Sequence, residues 1–437
     1  MHVTWAGHAA LFVNVANRTL LLDPWFHEPV FAGAWFRYPP TPFPDASTMP
    51  KPDFVCLSHT HADHAGLETL EQLRKDQQVL AVDFPSGAMR RRLERAGLLN
   101  VTWLTPYETR EVSPGLEVTF VPHDAGWEVT SIVVQGEGTT LYHGNDNTLS
   151  IEAYREVTKR LGPVDVAFLP YAGASSYPTN FDGDEATLGR RCDEKKAEGL
   201  QRFLDGLEGL RPSEAAPFAS SWALLEPDEV WKNFADRYTA PETLARAMAF
   251  AHERDCHLLH LEPGDEWSPE TGGLNRGLTS RWPSTQEGVR RYADLERSRV
   301  KAAIAAARRP EHEVPALDPL FRAFFEHDVP RSFARHEPFD GAFGFRGGAS
   351  TWTVHFQAGR VHQIEAGLSA AAPEVLALSA SELFDVLVGE SSWEDVWYGY
   401  RLHVTKRPDS GYARAFWELL LGVDPDLVKA RRAGAAP

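Results

Sequence analysis

The sequence predicts a layered α/β fold followed by a smaller α+β domain. Apolar runs typical of buried strands alternate with helical patterns over the first 308 residues, as expected for sheets covered by helices. At 437 residues, the chain is also too long for one small core. Two prolines at 309–315 interrupt the helical pattern and indicate a domain boundary. We therefore predict one domain over 1–308 and a second over 316–437.

Hydrophobic patterning predicts the individual elements. Strands are expected at 3–5, 10–15, 19–23, 53–58, 79–82, 116–121, 131–135, 139–143 and 164–169. Helices are expected at 67–75, 86–96, 188–210, 287–308, 379–388 and 413–421. Two strand-like runs, 351–356 and 360–365, flank Gln357-Ala358-Gly359 and predict a β-hairpin. The segment 24–52, rich in proline and aromatic residues, predicts an irregular loop.

Composition and charge limit the class of partner. The formal net charge is -17, and the acidic residues are spread along the chain. This argues against nucleic acid as a partner, because phosphate binding depends on clustered Lys and Arg. No apolar run approaches the roughly 18 residues of a membrane span, and no secretory signal is visible, so we expect a cytoplasmic protein without a membrane partner. The basic runs at 90–92 and 308–309 are interpreted as solvated helix faces or ends.

The cysteines indicate neither disulfides nor a zinc ribbon. Cys56, Cys192 and Cys256 are far apart and form no C-x-x-C pair. Cys56 lies within an apolar run and Cys256 at the start of one. We therefore expect both to be buried thiols.

A His-rich motif follows the strand predicted at 53–58. Its spacing is H-x-H-x-D-H, with His59, His61, Asp63 and His64. Imidazole and carboxylate groups are usual ligands of zinc, iron and manganese. His59 and His61 leave the end of a strand and can both turn toward one ion. Asp63 and His64, at the start of the next helix, can serve a second ion close by.

The motif and its setting resemble the metallo-β-lactamase superfamily. The resemblance implies a four-layer αβ/βα sandwich with a one- or two-metal site at one sheet edge. It also implies further ligands from later loops, since His123, Asp146 and His260 each follow a strand-like run. By the roles of that family, His59, His61 and His123 hold one metal, Asp63, His64 and His260 hold the other, and Asp146 bridges them. Asp63 and Asp146 are also the expected catalytic carboxylates.

Three neighbouring positions leave alternatives open. His257 lies close to His260 on the same run and could take its role. Asp23, after the third strand, resembles a family position that supports the ligands, but a simple turn aspartate is the alternative. His143 is interpreted as a supporting or structural residue.

A narrower resemblance is to CMP-N-acetylneuraminate hydroxylases. It rests on the stretch 168–181, FLPYAGASSYPTNF, on 393–400, WEDVWYGY, on Arg407-Pro408-Asp409 and on Ala415-Phe416-Trp417. That family also carries a Rieske iron–sulfur domain, whose paired Cys and His ligands three scattered cysteines cannot supply. A shared substrate is therefore not implied. The first stretch supplies the substrate-binding candidates, which are Tyr171, Ser175, Ser176, Tyr177 and Asn180.

Two enzymatic interpretations use the same ligands. The favoured one is an iron-dependent oxygenase that acts on a small polar substrate and receives electrons from a separate donor. The alternative is a zinc-dependent hydrolase of an ester, lactone, amide or phosphodiester. Ligand type does not separate them, because His and carboxylate suit both metals. A non-enzymatic scaffold is disfavoured because every expected ligand position is filled. The C-terminal domain is expected to be a lid, a dimerisation domain or a substrate-binding domain, and the sequence allows an oligomer.

Overall fold

A computed structural model describes residues 1–278, 281–333, 337–406 and 413–434, so Arg407-Pro408-Asp409 lies outside the described residues. The chain divides into two compact units. Unit 1 comprises Met1–Glu28, Phe36–Gly173 and Glu194–Leu295, and unit 2 comprises Pro29–Trp35, Ala174–Asp193 and Glu296–Pro437. Unit 2 therefore begins its main segment at Glu296, whereas the sequence predicts a boundary at 309–315. It also takes in two short earlier stretches.

The elements of the first 295 residues follow the predicted patterning. The strands are β1 His2–Gly7, β2 Ala10–Val15, β3 Arg18–Leu22, β4 Trp35–Arg37, β5 Phe54–Leu57, β6 Gln78–Val82, β7 Val101–Leu104, β8 Thr109–Ser113, β9 Leu116–Pro122, β10 Thr130–Gly136, β11 Thr139–His143, β12 Val166–Pro170, β13 Glu214–Phe218, β14 Trp222–Leu224, β15 His257–Leu258, β16 Glu266–Ser268 and β17 Gly272–Leu274. The helices are α1 Ala62–Ala65, α2 Leu67–Leu70, α3 Ala88–Ala96, α4 Ile151–Leu161, α5 Glu185–Leu210, α6 Ala240–His252 and α7 Gln286–Leu295.

Two predicted helices differ from the structure. The helix predicted at 67–75 ends at Leu70. Beyond it the chain continues in turns, in which the Gln72 amide donates to the Thr69 carbonyl three residues earlier. The helix predicted at 287–308 is two helices, Gln286–Leu295 and Arg297–Ala307.

Two sheets form the centre of unit 1. The first sheet has eight strands in the order β17-β16-β1-β2-β3-β5-β6-β7, and the second has seven in the order β15-β13-β12-β11-β10-β9-β8. Successive residues of a strand point to opposite faces, so Leu20 and Leu22 of β3 face one core and Leu21 faces another. The core shared by Leu20 and Leu22 also contains Phe120 and Ile132 of the second sheet.

Helices cover the outer face of each sheet. Val55 of β5 packs in one cluster with Met89 and Leu93 of α3. Val133 of β10 packs in another cluster with Tyr154 of α4. The layers are therefore helix, sheet, sheet and helix, and the predicted four-layer αβ/βα sandwich is confirmed.

The strand directions bring several loops to one edge of the first sheet. β3 and β5 are parallel, with Leu22 beside Cys56, so Asp23 and the motif both follow carboxyl ends at the same edge. β2 is antiparallel to β3 and begins beside Leu22, so the β1–β2 turn reaches that edge as well. This turn carries His8. In the second sheet β9 and β11 run in one direction on either side of β10, so the chain leaves both at one edge.

Unit 2 has its own sheet and core. Its strands are β18 Gly341–Gly347, β19 Ser350–Gln357, β20 Arg360–Ala366, β21 Val375–Leu378 and β22 His403–Val404, and its helices are α8 Arg297–Ala307, α9 Leu317–Ala323, α10 Ala380–Val388, α11 Trp393–Tyr398, α12 Arg414–Leu421 and α13 Pro425–Arg432. β19 and β20 pair antiparallel around Ala358 and Gly359, whose φ angles are 50° and 73°. Positive φ at both central residues is the requirement of a two-residue hairpin turn, so the predicted hairpin is confirmed.

Among the residues that the structure describes, no helix combines the length and the apolar character needed to cross a membrane.

Candidate metal centre

The His-rich motif is buried at the edge of the first sheet. β5 ends at Leu57, and the one-turn helix α1 carries Asp63 and His64. His59, Asp63 and His64 are each at most 2% exposed. Buried polar groups of this kind are expensive unless they are paired or bind a cation.

Two groups of side chains bring metal-binding atoms together, and both contain Asp146. His59, His61 and Asp146 form the first, and His8, His64 and Asp146 form the second, with the atoms of each group within 4.8 Å of one another. The Oδ2 atom of Asp146 lies 3.9 Å from His59 Nε2, 3.6 Å from His61 Nδ1 and 3.5 Å from His64 Nε2. A single carboxylate thus faces both groups.

Asp63 adds a second carboxylate to the His8 side of the centre. Its Oδ2 atom lies 2.8 Å from His8 Nε2 and 3.5 Å from His64 Nε2. Among the described residues, His59 Nε2, His64 Nε2 and Asp63 Oδ1 are buried without a hydrogen-bond partner. Such atoms would be costly in an apolar interior, and a bound cation would satisfy them. The donor set therefore fits the metal ions that the resemblance implies.

A network centred on Asp23 fixes two of the imidazoles. The Ser58 amide donates to Asp23 Oδ1 at 2.8 Å, and the Ser58 hydroxyl donates to Asp23 Oδ2 at 2.6 Å. Since that hydroxyl proton is engaged, Ser58 Oγ accepts from His59 Nδ1, 2.8 Å away. His64 Nδ1 donates to Asp23 Oδ2 at 3.0 Å. Both imidazoles then carry their proton on Nδ1 and leave the Nε2 lone pair for a metal, as in carboxylate–histidine–metal triads.

Burial and neighbouring charges shift the pKa values of the two buried histidines of the motif in opposite directions. Burial lowers the pKa of His59, and the neighbouring His64 and His61 lower it further, so His59 is neutral. Burial opposes charge on His64 as well, but the carboxylates of Asp63 and Asp146 outweigh it and raise the pKa of His64 well above its ordinary value. Partial desolvation opposes charge on Asp146, but the neighbouring His64, His61 and His59 outweigh it and hold the pKa of this carboxyl well below its usual range. Positive charge is thus favoured between His64 and the two carboxylates. A bound metal ion would supply that charge in place of the His64 proton.

Backbone groups around the centre are held by residues outside the motif. Arg92 of α3 donates to the carbonyl oxygens of Thr60 and Ala65, each at 3.1 Å. It is therefore bound to the motif loop, whereas the sequence interpretation made it part of a solvated helix face. Asn145, at φ 42°, accepts from the Asp146 amide at 2.6 Å and donates to the Thr130 carbonyl at 2.8 Å. Neither role has a sequence signal, since both depend on contacts between distant segments.

The structure does not bring the predicted ligands His123 and His260 into either group around Asp146. His123 Nδ1 accepts from the Ala125 amide at 3.0 Å, so the neutral ring carries its proton on Nε2. His260 is 45% exposed, and its Nε2 lies 4.0 Å from Glu262 Oε1. It lines a cavity together with Trp5, Tyr38 and Tyr171. Among the described residues, neither of the two groups around Asp146 includes His123 or His260.

The other open positions are now placed. Asp23 is fully buried and has the supporting contacts described above. His143 Nε2 lies 2.8 Å from the Ala9 carbonyl oxygen, which accepts its proton, and burial lowers the pKa of this ring. His257 is exposed and pairs with Glu214 at 3.0 Å.

The substrate-binding candidates are mostly buried. In unit 1, Tyr171 is 7% exposed, and burial raises the pKa of its hydroxyl to about 12. In unit 2, Ser176 donates through its amide and its hydroxyl to the Trp397 carbonyl. Asn180 Nδ2 donates to the carbonyls of Tyr400 and Leu402. The Ser175 hydroxyl donates to the Tyr177 carbonyl, and the Tyr177 ring contacts Phe181 edge-on.

Comparison with known proteins agrees with the four-layer fold. Residues 18–187 match the profile of the β-lactamase superfamily domain. This segment is thus similar to a β-lactamase superfamily domain, in agreement with the αβ/βα layers of the fold.

Individual relatives include hydroxylases and Rieske-labelled proteins. A putative Rieske 2Fe-2S iron–sulfur protein of Mycolicibacterium smegmatis is 30% identical over 237 residues, which are 52% of this chain and 45% of that protein. The cytidine monophosphate-N-acetylneuraminic acid hydroxylase of Mus musculus is 25% identical over 301 residues, 66% of this chain and 49% of the relative. The resemblance to this hydroxylase family is thus confirmed. The chain spans about half the length of the curated relatives that it matches.

Solved structures of both reaction classes are similar to the chain. The diiron β-hydroxylase CmlA from Streptomyces venezuelae has a TM-score of 0.41 and 18% identity, over 59% of this chain and 52% of its own. An isothiocyanate hydrolase from Delia radicum gut bacteria has a TM-score of 0.41 and 16% identity, over 61% of this chain and 99% of its own.

Proposed function

We propose that this chain is an iron-dependent oxygenase with a dinuclear centre, which acts on a small polar substrate and receives electrons from a separate donor. The observation that carries the proposal is the pair of His/carboxylate groups that share Asp146. Hydroxylase and Rieske labels among its relatives favour oxygenation over hydrolysis. At these identities and coverages the names of the relatives support the reaction class, and the substrate that one of them names is not carried over to this chain.

His59 and His61 would hold one ion and Asp63 and His64 the other, with Asp146 facing both. In such a centre iron supplies redox chemistry with dioxygen, whereas zinc supplies a Lewis acid for hydrolysis. Asp23 and Ser58 keep the protons of His59 and His64 on Nδ1, away from the ions. The family resemblance also assigns His123 to the first ion, a role that would require its Nδ1 to give up the hydrogen bond from the Ala125 amide.

Asp146 gives the centre its access to substrate. Its side chain is 38% exposed, whereas those of Asp63, His59 and His64 are nearly inaccessible. A substrate from solvent therefore reaches the Asp146 side of the centre first. The buried face, with Asp63 and Asp23, holds ligands in place and excludes water.

The alternative is a zinc-dependent hydrolase of an ester, lactone, amide or phosphodiester. What favours it is the donor set itself, since neutral imidazoles and carboxylates are also the usual ligands of catalytic zinc. The two functions therefore differ in the metal and in the fate of dioxygen. An experiment has to measure both.

The test begins with metal analysis of full-length protein purified anaerobically without added metal. The protein is then reduced with stoichiometric dithionite, freed of reductant and mixed with dissolved oxygen at an oxygen electrode. About two iron atoms per chain with oxygen uptake supports the oxygenase. About two zinc atoms, no uptake and turnover in an ester and lactone panel would replace it by the hydrolase. Protein that binds neither metal, even on reconstitution, would overturn both.

Asp146→Asn is the matched variant for this test. It keeps the size of the side chain but loses the charge that faces both His groups. Oxygen uptake by the reduced protein should disappear in this variant. Uptake that persists unchanged would place the reaction elsewhere in the molecule.

A further inference from the structure

His8 lies inside the metal centre although it is far from the motif in sequence. It is 1% exposed, and its Nε2 atom is 2.8 Å from Asp63 Oδ2. Its ring centroid is 5.5 Å from that of His64, which faces it edge-on. The metal-binding atoms of His8, His64 and Asp146 lie within 4.8 Å of one another.

The β1–β2 turn is shaped to deliver this side chain. His8 has φ 48°, a left-handed backbone conformation that residues other than glycine adopt only at an energetic cost. Gly7 before it has φ 120°, and a Cβ there would lie 3.2 Å from the Thr41 side chain. The Trp5 indole donates to the His8 carbonyl at 2.9 Å, and the Trp25 ring contacts the imidazole edge-on at 5.3 Å. The turn therefore holds a strained backbone whose side chain points into the centre.

The predicted ligand His260 has none of these properties. Its side chain is 45% exposed and lies near Glu262. It lines the same cavity as Trp5, whose indole N–H donates to the His8 carbonyl. His8 and His260 are thus two candidates for the imidazole ligand of the second ion. Of the two, the buried His8 has its Nε2 atom beside Asp63.

We propose that His8 is the imidazole ligand of the ion held by Asp63 and His64, in the role that the family resemblance gives to His260. The proposal rests on the proposed dinuclear function and deepens it. The chain would then take its second-ion ligands from the β1–β2 turn, the motif and the β11–α4 loop. His260 is left on the cavity side of Trp5, where it is not a ligand.

A purely positioning role for His8 gives a different expectation. In that role its Nε2–H would only donate to Asp63, and a glutamine amide could donate in its place. As a ligand, His8 offers a lone pair that glutamine replaces poorly. His8→Gln therefore separates the two roles, and His8→Ala removes both.

The experiment compares metal content in wild type, His8→Gln, His8→Ala and His260→Ala after desalting, with circular dichroism to confirm folding. Wild type should retain about two equivalents, both His8 variants about one, and His260→Ala about two, because one ligand typically contributes at least 10- to 100-fold in affinity. Two equivalents in His8→Gln would overturn the proposal, as would one equivalent in His260→Ala. Wild type without metal would instead overturn the proposed function.

A second measurement needs no variant. Crystals of the wild-type holoprotein give an anomalous difference map at the metal absorption edge. The peak nearest Asp63 should lie about 2.0–2.1 Å from His8 Nε2, the distance of a zinc–imidazole bond. A peak at that distance from His260, with His8 remote, would assign the ligand to His260.

Discussion

Asp23 shows how one buried side chain can set the chemistry of two others. Its two oxygens accept from Ser58 and from His64, and Ser58 in turn accepts from His59. Asp23 therefore keeps a proton on Nδ1 of His64 and, through Ser58, of His59, so that a metal would take Nε2 of each ring without any direct contact between Asp23 and the ion. Asp23 has φ 42°, so it belongs with His8 and Asn145 to the strained backbone positions around the centre.

Asp23→Asn should weaken metal binding by about 10- to 100-fold, which is typical for loss of a hydrogen-bond partner of a ligand. The asparagine amide would donate toward His64 Nδ1 and force the proton onto Nε2, where the ion should bind. Titration against a chromophoric chelator measures the affinity. Asp53→Asn is the matched control, because Asp53 accepts from the Thr19 amide at the surface, on the other end of β3. Equal affinities in wild type and Asp23→Asn would contradict the network.

Asp146→Asn should lose both ions rather than one. Its Oδ2 atom is within 3.9 Å of ring nitrogens in both groups, namely those of His59 and His61 in one and of His64 in the other. Plasma mass spectrometry of the desalted protein should show well under one equivalent. Asp165→Asn serves as the control, since Asp165 accepts from the Thr140 amide at 2.7 Å and asparagine can still accept there. If Asp146→Asn kept one full equivalent, the carboxylate would belong to a single ion.

The motif predicted the local part of this centre and the family resemblance added Asp146, but neither indicated His8. His59, His61, Asp63 and His64 are recognisable because four potential ligands occur within six residues after an apolar strand. His8 is 51 positions earlier than His59, within Gly7-His8-Ala9, and nothing local distinguishes it from any turn histidine. Only the pairing of β2 with β3 and of β3 with β5 places it beside the motif.

At the scale of elements, buried strands were the most predictable part of the chain. The strand at Thr139–His143 has the predicted bounds, because its apolar run ends where Gly144 begins a turn. The helices α4 and α6 were not predicted. α6 begins with a capping box of Thr239 and Glu242, with Pro241 between them, and this helix-start signal is visible in the sequence. No comparable sequence pattern indicates the hydrogen bonds from Arg92 to the carbonyls of Thr60 and Ala65.

The loop after β12 gives a test that separates packing from substrate binding. Asn180 is 1% exposed, and its amide donates to the Tyr400 carbonyl at 2.6 Å and to the Leu402 carbonyl at 3.3 Å. Asn180→Ala would leave buried carbonyls unsatisfied and should lower the free energy of unfolding by about 1–3 kcal/mol. Urea unfolding measures this, with the exposed Asn100→Ala as the control. An unchanged stability with weakened substrate binding would instead support the predicted substrate contact.

The cysteines on β5 and before β15 should be unreactive in the folded protein. Cys56 is fully buried, and burial raises the pKa of its thiol far above the ordinary value. Burial also raises the pKa of Cys256 to about 12. Because the thiolate is the reactive form, Ellman's reagent at pH 8 should titrate only Cys192, which is partly exposed. All three should react in denaturant, and rapid reaction of two thiols in the native protein would contradict this burial.

On the scale of the whole molecule, the centre joins the two sheets of unit 1. His8, Asp63 and His64 follow strands of the first sheet, whereas Asp146 follows β11 of the second. Thr130 of β10 adds a direct link, since its hydroxyl donates to the Ser58 carbonyl at 2.9 Å. The acidic net charge of -17 is in keeping with a centre that concentrates cations and with the prediction of no nucleic-acid partner, which stays a prediction.

A ligand set drawn from both sheets predicts that metal stabilises the whole of unit 1. An ion bound between the sheets is lost when they separate, so it favours the folded state by RT ln(1 + [metal]/Kd), about 2.7 kcal/mol at a hundredfold excess over Kd. Differential scanning calorimetry of chelator-treated protein should show a midpoint that rises by several degrees when Fe(II) is added anaerobically or Zn(II) in air. Asp146→Asn should show no such rise, because its carboxylate is the second sheet's contribution to both groups. A midpoint that metal does not change in wild type, while metal content confirms binding, would mean that the unfolded chain binds the ions as tightly as the folded protein does, and it would contradict a centre assembled from both sheets.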